Sequence, residues 1–263
     1  MDAVTLSWFV FVAGAIVGSF LNVCIHRLPR EISVVLPRSF CPHCKAMIPW
    51  YENIPLLSYL LLRGKCFRCR QPIAFRYFLV ELTTAGIAWL LWQRYGLSSE
   101  FVASAIFFAM IIVATMTDFE TGLIPDEITI GGIIAGLALS VTGHGHFLQP
   151  FWYQKLLASG GGLLAGGGVL LLVGWLGKLV FRKDSMGGGD VKLLAMIGAF
   201  VGVTKVGLVF LLAPFPALPF ALWQRFVKKE ETIPFGPFLA LVGALMFMEG
   251  DAVLSFFSKL YGV

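Results

Sequence analysis

The chain is 263 residues long, 58% hydrophobic and 13% charged, with 24 Phe and 29 Gly. Its mean hydropathy is +0.84, whereas soluble domains carry about 25% charged residues. This balance argues against a soluble globular domain and for an all-α polytopic membrane protein; its apolar runs are continuous, not alternating as in a transmembrane barrel.

In chain order, about eight apolar segments are predicted as transmembrane helices, near residues 8–25, 78–96, 101–117, 128–142, 158–180, 191–203, 205–223 and 234–256, each judged against the roughly 20 apolar residues a span needs. The first lacks a basic leader region and a small-residue cleavage site, so it reads as a retained helix, not a signal peptide. Residues 26–77 form the one sizeable polar excursion. The expected organisation is therefore a first helix over 1–25, a small soluble domain over 26–77 and a membrane domain over 78–263. The run "SGGGLLAGGG" at 159–168 reads as a surface for close helix packing, as small residues provide in membranes.

Charge sets the expected orientation. With the N-terminus outside, the 26–77 loop faces the cytoplasm and holds nine Lys and Arg, and Arg182, Lys183, Lys192, Arg225, Lys228 and Lys229 join it there. The outer side keeps Arg94, Lys155, Lys205 and Lys259. This is the positive-inside pattern. The net charge of +5 is thus a topology signal, and no basic tract interleaved with aromatics suggests nucleic acid as a partner.

Within 26–77, Cys41, Cys44, Cys66 and Cys69 form two C-x2-C pairs. Paired knuckles of four thiolates suit a tetrahedral zinc ion, and disulfides are rare in the reducing cytoplasm. Four protein ligands leave no open coordination position, so the zinc is expected to be structural. A segment this small buries little core by itself, and the metal supplies the missing stabilisation. It is expected to hold "IPWYENIPLLSYL" as a platform against the membrane. Cys24 reads as a packed thiol and His43 as solvated, not as further ligands.

Two acids stand out because charge at a membrane helix is costly. Asp118 follows one apolar span directly, and Asp190 follows three glycines and opens another. Both are expected at the cytoplasmic edge. A carboxyl pair there can share a proton, one activating water while the other donates to the substrate. The residues alone also allow plainer roles: Asp190 as a helix cap, Asp118 as a boundary residue. Asp126, after Pro125, reads as a cap, Asp184 as an exposed loop residue, and Glu81, inside the second span, and Glu249, near the end of the last, as acids with unnamed polar partners.

Taken together these motifs resemble the bacterial type IV prepilin peptidases, which are leader peptidases and N-methyltransferases. "GSFLNVCIHRLP" (18–29) is similar to the family's opening segment, and the tetracysteine module with "IPWYENIPLLSYLLLRGKC" to its cytoplasmic domain. "TDFETGLIPD" (117–126) and "GGGDVKLLAMIGA" (187–199) resemble its two aspartate motifs. The resemblance implies that Asp118 and Asp190 are the catalytic dyad of a membrane aspartic protease. It implies prepilins or pseudopilins as substrates, cut behind a short basic leader and then methylated at the new N-terminus with S-adenosylmethionine. It also implicates Gly64 and Lys65 in methylation. The implied location is the bacterial inner membrane, in contact with lipid, with the N-terminus periplasmic. Glycines 187–189 are expected to let the substrate backbone approach Asp190 closely. Alternatives are a peptidase without methylation, an ion-coupled transporter with its carboxylates near mid-membrane, and a non-enzymatic scaffold docking through the zinc module.

Overall fold

The computed structural model describes residues 3–143, 146–182, 187–229 and 233–261. Lys183 and Asp184, expected in a cytoplasmic loop, lie outside the described residues. Among the described residues, ten α-helices carry almost all the regular structure: α1 (Ala3–Arg27), α2 (Leu57–Leu61), α3 (Phe75–Tyr95), α4 (Ser99–Thr121), α5 (Asp126–Ser140), α6 (Trp152–Phe181), α7 (Gly188–Val201), α8 (Val203–Leu212), α9 (Pro214–Trp223) and α10 (Gly236–Tyr261). The only β pairing among the described residues is two isolated bridges in the tetracysteine module.

Each of the eight expected apolar segments meets a helix, but they are not equally able to cross a bilayer. Five stretches among the described residues are long and apolar enough: Thr5–Arg30, Ser99–Thr121, Trp152–Val180, Val203–Val227 and Gly236–Lys259. Helices α5 and α7 have 15 and 14 residues, about 22 Å at 1.5 Å per residue, short of the roughly 30 Å hydrocarbon core. Length therefore does not establish a count of eight spans. The segment 203–227 is broken rather than straight. Pro214 opens α9 and Pro219 lies inside it, and each proline removes a backbone donor from the helix.

The chain divides into two compact units, Met1–Val113 and Ala114–Val263. In the first, α1 lies directly on α3. A Cβ on Gly14 would stand 2.8 Å from the Ala88 Cβ, and one on Gly18 2.8 Å from the Glu81 Cα. Gly14, Gly18 and Asn22 recur every four residues and so share one face of α1. Asn22 extends that seam, its Nδ2 donating to the Tyr77 carbonyl at 3.0 Å.

In the second unit α7 is the centre, packed by α5, α6, α8 and α10. Every residue of α7 from Leu193 to Val201 is buried. The glycine run of α6 serves the expected packing: Gly162 meets Gly198, and Gly166 meets the Leu194 backbone, so closely that neither position has room for a Cβ. The outer face of α6 presents Leu164, Leu171, Leu172 and Trp175, an apolar surface suited to lipid. Lys205 is buried but paired, 2.8 Å from the Asp251 carboxylate and 3.0 Å from His146 Nδ1. Pairing is what a charge needs when taken out of water.

Candidate active site and metal centre

Helix α4 runs past the end expected for it, to Thr121, so Asp118 sits in its last turn and not after it. The side chain is 7% exposed, beside a fully buried Thr117. A boundary residue placed to stop a span would face water, and this one does not. Asp118 Oδ2 accepts a hydrogen bond from the Gly236 backbone N–H at 3.0 Å. Gly236 is the first residue of α10, where N–H groups have no helical partner. The start of α10 thus clamps the carboxyl from the side opposite its own helix.

Asp190 lies in the first turn of α7, whose N-cap is Gly187. The carboxyl is partly buried and close enough to Asp118 for the charge of one to act on the other. The link between them is the turn after α4. Ile124 packs on a neighbour of each acid: a Cβ on Gly236, the donor to Asp118, would lie 2.9 Å from its Cδ1, and one on Gly189, next to Asp190, would lie 3.1 Å from its Cβ. Of the three glycines before Asp190, Gly189 packs on Ile124 and Gly187 borders Asp190 Oδ2, while Gly188 faces open space. Only Gly188 has the free side that backbone approach requires.

Asp126 does not cap α5, which has no side-chain cap. It pairs instead with Lys192, whose Nζ lies 2.6 and 2.7 Å from the two carboxylate oxygens. Lys192 follows Asp190 by two residues, so this pair ties the start of α5 to the start of α7.

The tetracysteine module is built from two matching knuckles. Cys41 N–H donates to the Ala46 carbonyl and Cys66 N–H to that of Gln71, both at 2.9 Å. Lys45 and Arg70 each turn the chain with a positive φ, 58° and 59°. The four sulfurs lie within 4.8 Å of one another. The Cys66 thiol is drawn down to about 7, chiefly by the Cys69 backbone N–H, helped by that of Arg68 and by the sulfurs of Cys41 and Cys69. The Gln71 N–H pulls on Cys69 in the same direction, yet burial and the other three sulfurs outweigh it and leave that thiol at about 11. The thiols resist ionising together unless a cation joins them. In donor type, number and spacing the site fits a metal ion.

Gly64 is buried, with φ +66°, and a Cβ there would stand 2.9 Å from the Tyr59 hydroxyl. Lys65 is exposed. Glu81, read from sequence as an acid with an unnamed partner, accepts from the Leu56 N–H at 2.8 Å and so anchors the module to α3. Glu249 marks a kink, with non-helical φ and ψ of −128° and 17° inside α10. Sequence reasoning missed Gly236, Ile124 and Asn22. Asn22 carried a signal in the spacing of Gly14, Gly18 and Asn22. Gly236 carried a weaker one, a Gly-Pro pair opening the last apolar run.

Residues 12–95 match the bacterial peptidase A24 N-terminal domain, and residues 105–222 match the type IV leader peptidase family. A prepilin leader peptidase/N-methyltransferase from Burkholderia pseudomallei is 34% identical, over 90% of this chain and 83% of that protein. One of the same name from Aeromonas hydrophila is 33% identical over 93% of this chain and 91% of its own length. Another, from Bacillus subtilis, is 31% identical over 95% and 97%. No solved structure matches the chain.

Proposed function

We propose that this chain, which belongs to the type IV leader peptidase family, cleaves the leader of type IV prepilins or pseudopilins through Asp118 and Asp190 and then methylates the new N-terminus. The observation that carries the reading is the convergence of these two acids. They lie 72 residues apart in sequence on two helix ends joined by Ile124, which packs on Gly189 beside Asp190 and on Gly236, the backbone donor that holds the buried Asp118. Such a pair can hold one proton between two carboxyls. Water adds to the scissile carbonyl carbon and gives a proton to the ionised carboxylate. The protonated partner gives its proton to the carbonyl oxygen. Collapse of the tetrahedral intermediate breaks the C–N bond, and the amine departs with a returned proton. Gly188 leaves the space beside Asp190 open for the substrate backbone.

The acids sit at helix ends, in the last turn of α4 and the first turn of α7. A transporter would want them near mid-membrane, and a scaffold would leave them without a task. The lysine and arginine bias supports an inner-membrane protein with a periplasmic N-terminus, and with residues 26–77 and the acids on the cytoplasmic side. About eight spans are then needed, the shorter helices crossing where the bilayer is thinned around them or where neighbouring helices enclose them.

Cys41, Cys44, Cys66 and Cys69 are assigned to one zinc ion, which, when bound, would cross-link the two knuckles and serve structure, four thiolates leaving no position for chemistry. The names of the relatives support methylation, so the peptidase-only alternative is not preferred. S-adenosylmethionine, when bound, supplies an electrophilic methyl group on sulfur. Gly64 and Lys65 are assigned to this second activity, Gly64 through the placement of Tyr59 and Lys65 as an exposed cation for an anionic group of donor or substrate. The test is incubation of purified protein with a prepilin and S-adenosylmethionine labelled in its methyl group. Shortening of the pilin together with label at its N-terminus is the expected result. Neither change overturns the reading; shortening without label restores the peptidase-only alternative.

A further inference from the structure

The hydrogen bond that orients Asp118 has its acceptor and its donor on different helices. Asp118 is in the last turn of α4, and the Gly236 N–H that holds it at 3.0 Å opens α10. Such a bond is only as well placed as the two helix ends that make it, and an error of about 1 Å in a reacting group is costly. Gly236 has no side chain with which to fix those ends against each other.

A third helix supplies the contact. Phe119 follows Asp118 on α4, and Phe238 stands two residues past Gly236 on α10. The Phe220 ring of α9 lies against both. Its centroid is 6.2 Å from that of Phe119, with the ring planes at 70°, and 5.4 Å from that of Phe238, with the planes at 55°. Attractive aromatic pairs have separations of about 4.5–7 Å. Trp223, one turn further along α9, meets the same ring at 5.8 Å.

The cluster is not core filling, because Phe119 is 48% exposed and Trp223 46%. Nor does Phe220 belong to the outward stripe of α9. Phe215, Leu218 and Leu222 are exposed on that stripe, whereas Ala217 and Gln224 are buried. These two lie three residues before and four after Phe220, on its side of the helix. Pro219, immediately before Phe220, has no N–H for the Phe215 carbonyl. The turn that carries Phe220 is therefore held less by its own helix and more by its ring contacts.

Resting on the peptidase reading above, we infer that Phe220 is a positioning residue for leader cleavage: its ring braces the start of α10 against the last turn of α4 and so keeps the Gly236 N–H on the Asp118 carboxyl. Phe220 touches neither the scissile bond nor a transferred proton in this role. It acts through Phe119 and Phe238 on a bond that other groups make.

The test is a double-mutant cycle on the full chain in detergent. Leader cleavage of a prepilin gives kcat and KM for wild type, Phe220→Ala, Gly236→Ala and the double variant, with methylation of a pre-cut pilin as the check on folding. Phe220→Ala is expected to lower kcat roughly tenfold while KM stays within about twofold. In the Gly236→Ala background the same substitution should cost less than about twofold, because the bond it protects is already lost. Phe220→Tyr keeps the ring and should cleave within about twofold of wild type. If Phe220→Ala also loses methylation, Phe220→Leu, which keeps bulk without the ring, takes its place in the cycle. Three results overturn the role: cleavage by the ring-deleted variant at the wild-type rate, a raised KM with kcat unchanged, or losses that multiply in the double variant. Each leaves the peptidase reading standing, whereas a wild type that does not cut the prepilin overturns that reading itself.

Discussion

Replacing Gly236 by alanine tests the geometry of the acid pair without changing either acid. The new Cβ would lie 2.8 Å from Asp118 Oδ2 and 2.9 Å from Ile124 Cδ1, closer than real Cβ contacts come, so one of these groups must move. Ile124 is held on its other side by Gly189, and the Asp118 side chain is itself buried, so the start of α10 is the element freest to yield. Its withdrawal stretches the 3.0 Å bond from the Gly236 N–H. Hydrogen bonds to charged groups contribute about 1.5–3 kcal/mol, which at about 1.4 kcal/mol per tenfold in rate corresponds to roughly a 10- to 150-fold loss. The assay is kcat/KM for leader cleavage by the detergent-solubilised protein, with methylation of a pre-cut pilin as a check on folding. Gly168→Ala is the control, since a Cβ there meets nothing within 4 Å. Cleavage by Gly236→Ala within twofold of the control would refute the idea that this backbone donor orients Asp118.

Asp118→Asn and Asp190→Asn are each expected to lower cleavage by about three orders of magnitude or more, as loss of a proton-transferring group does, with methylation of pre-cut pilin retained; near-normal cleavage in either variant removes that residue from the dyad. Asp126→Asn breaks an ion pair whose side chains are 43% and 57% exposed, a pairing worth about 0–1 kcal/mol, so cleavage should fall less than tenfold in the same assay. One zinc per chain is expected by elemental analysis, and Cys66→Ser should lose it; equal metal in both proteins rejects the site. Lys65→Ala should keep its zinc and cut normally while mass spectrometry shows a pilin lacking one methyl group. A wild-type methylation rate in that variant, or a parallel fall in cleavage, removes Lys65 from the separate role given to it.

Features that depend on local sequence were legible. Apolar runs announced the helices, because a bilayer demands long stretches with internally satisfied backbones. The two C-x2-C knuckles announced a metal site, because each sets two sulfurs through its own tight turn. Asp118 and Asp190 stood out because charge is rare in such surroundings. The span count was less legible. Apolar length does not separate a crossing helix from a shorter one enclosed by others, and α7 is the clear case: its residues 193–201 are buried by protein, so its hydrophobicity says nothing about contact with lipid.

What sequence could not show was convergence. Asp126 looked like a cap because it follows a proline at a helix start, the local rule for such positions. Its partner is Lys192, 66 residues away, and an available cation competes well with backbone N–H groups for a carboxylate. Gly236 has the same logic with the roles reversed. The Gly-Pro pair marks only a helix start; what excludes a side chain at Gly236 is Asp118, 118 residues earlier. In both cases the constraint comes from a helix end meeting another helix end, where unpaired backbone donors and acidic side chains are brought together. Glycines beside a carboxylate at such a junction are selected by space and by the N–H they expose, not by backbone flexibility, and that is why substituting Gly236 should act on cleavage while the open position at Gly168 should not.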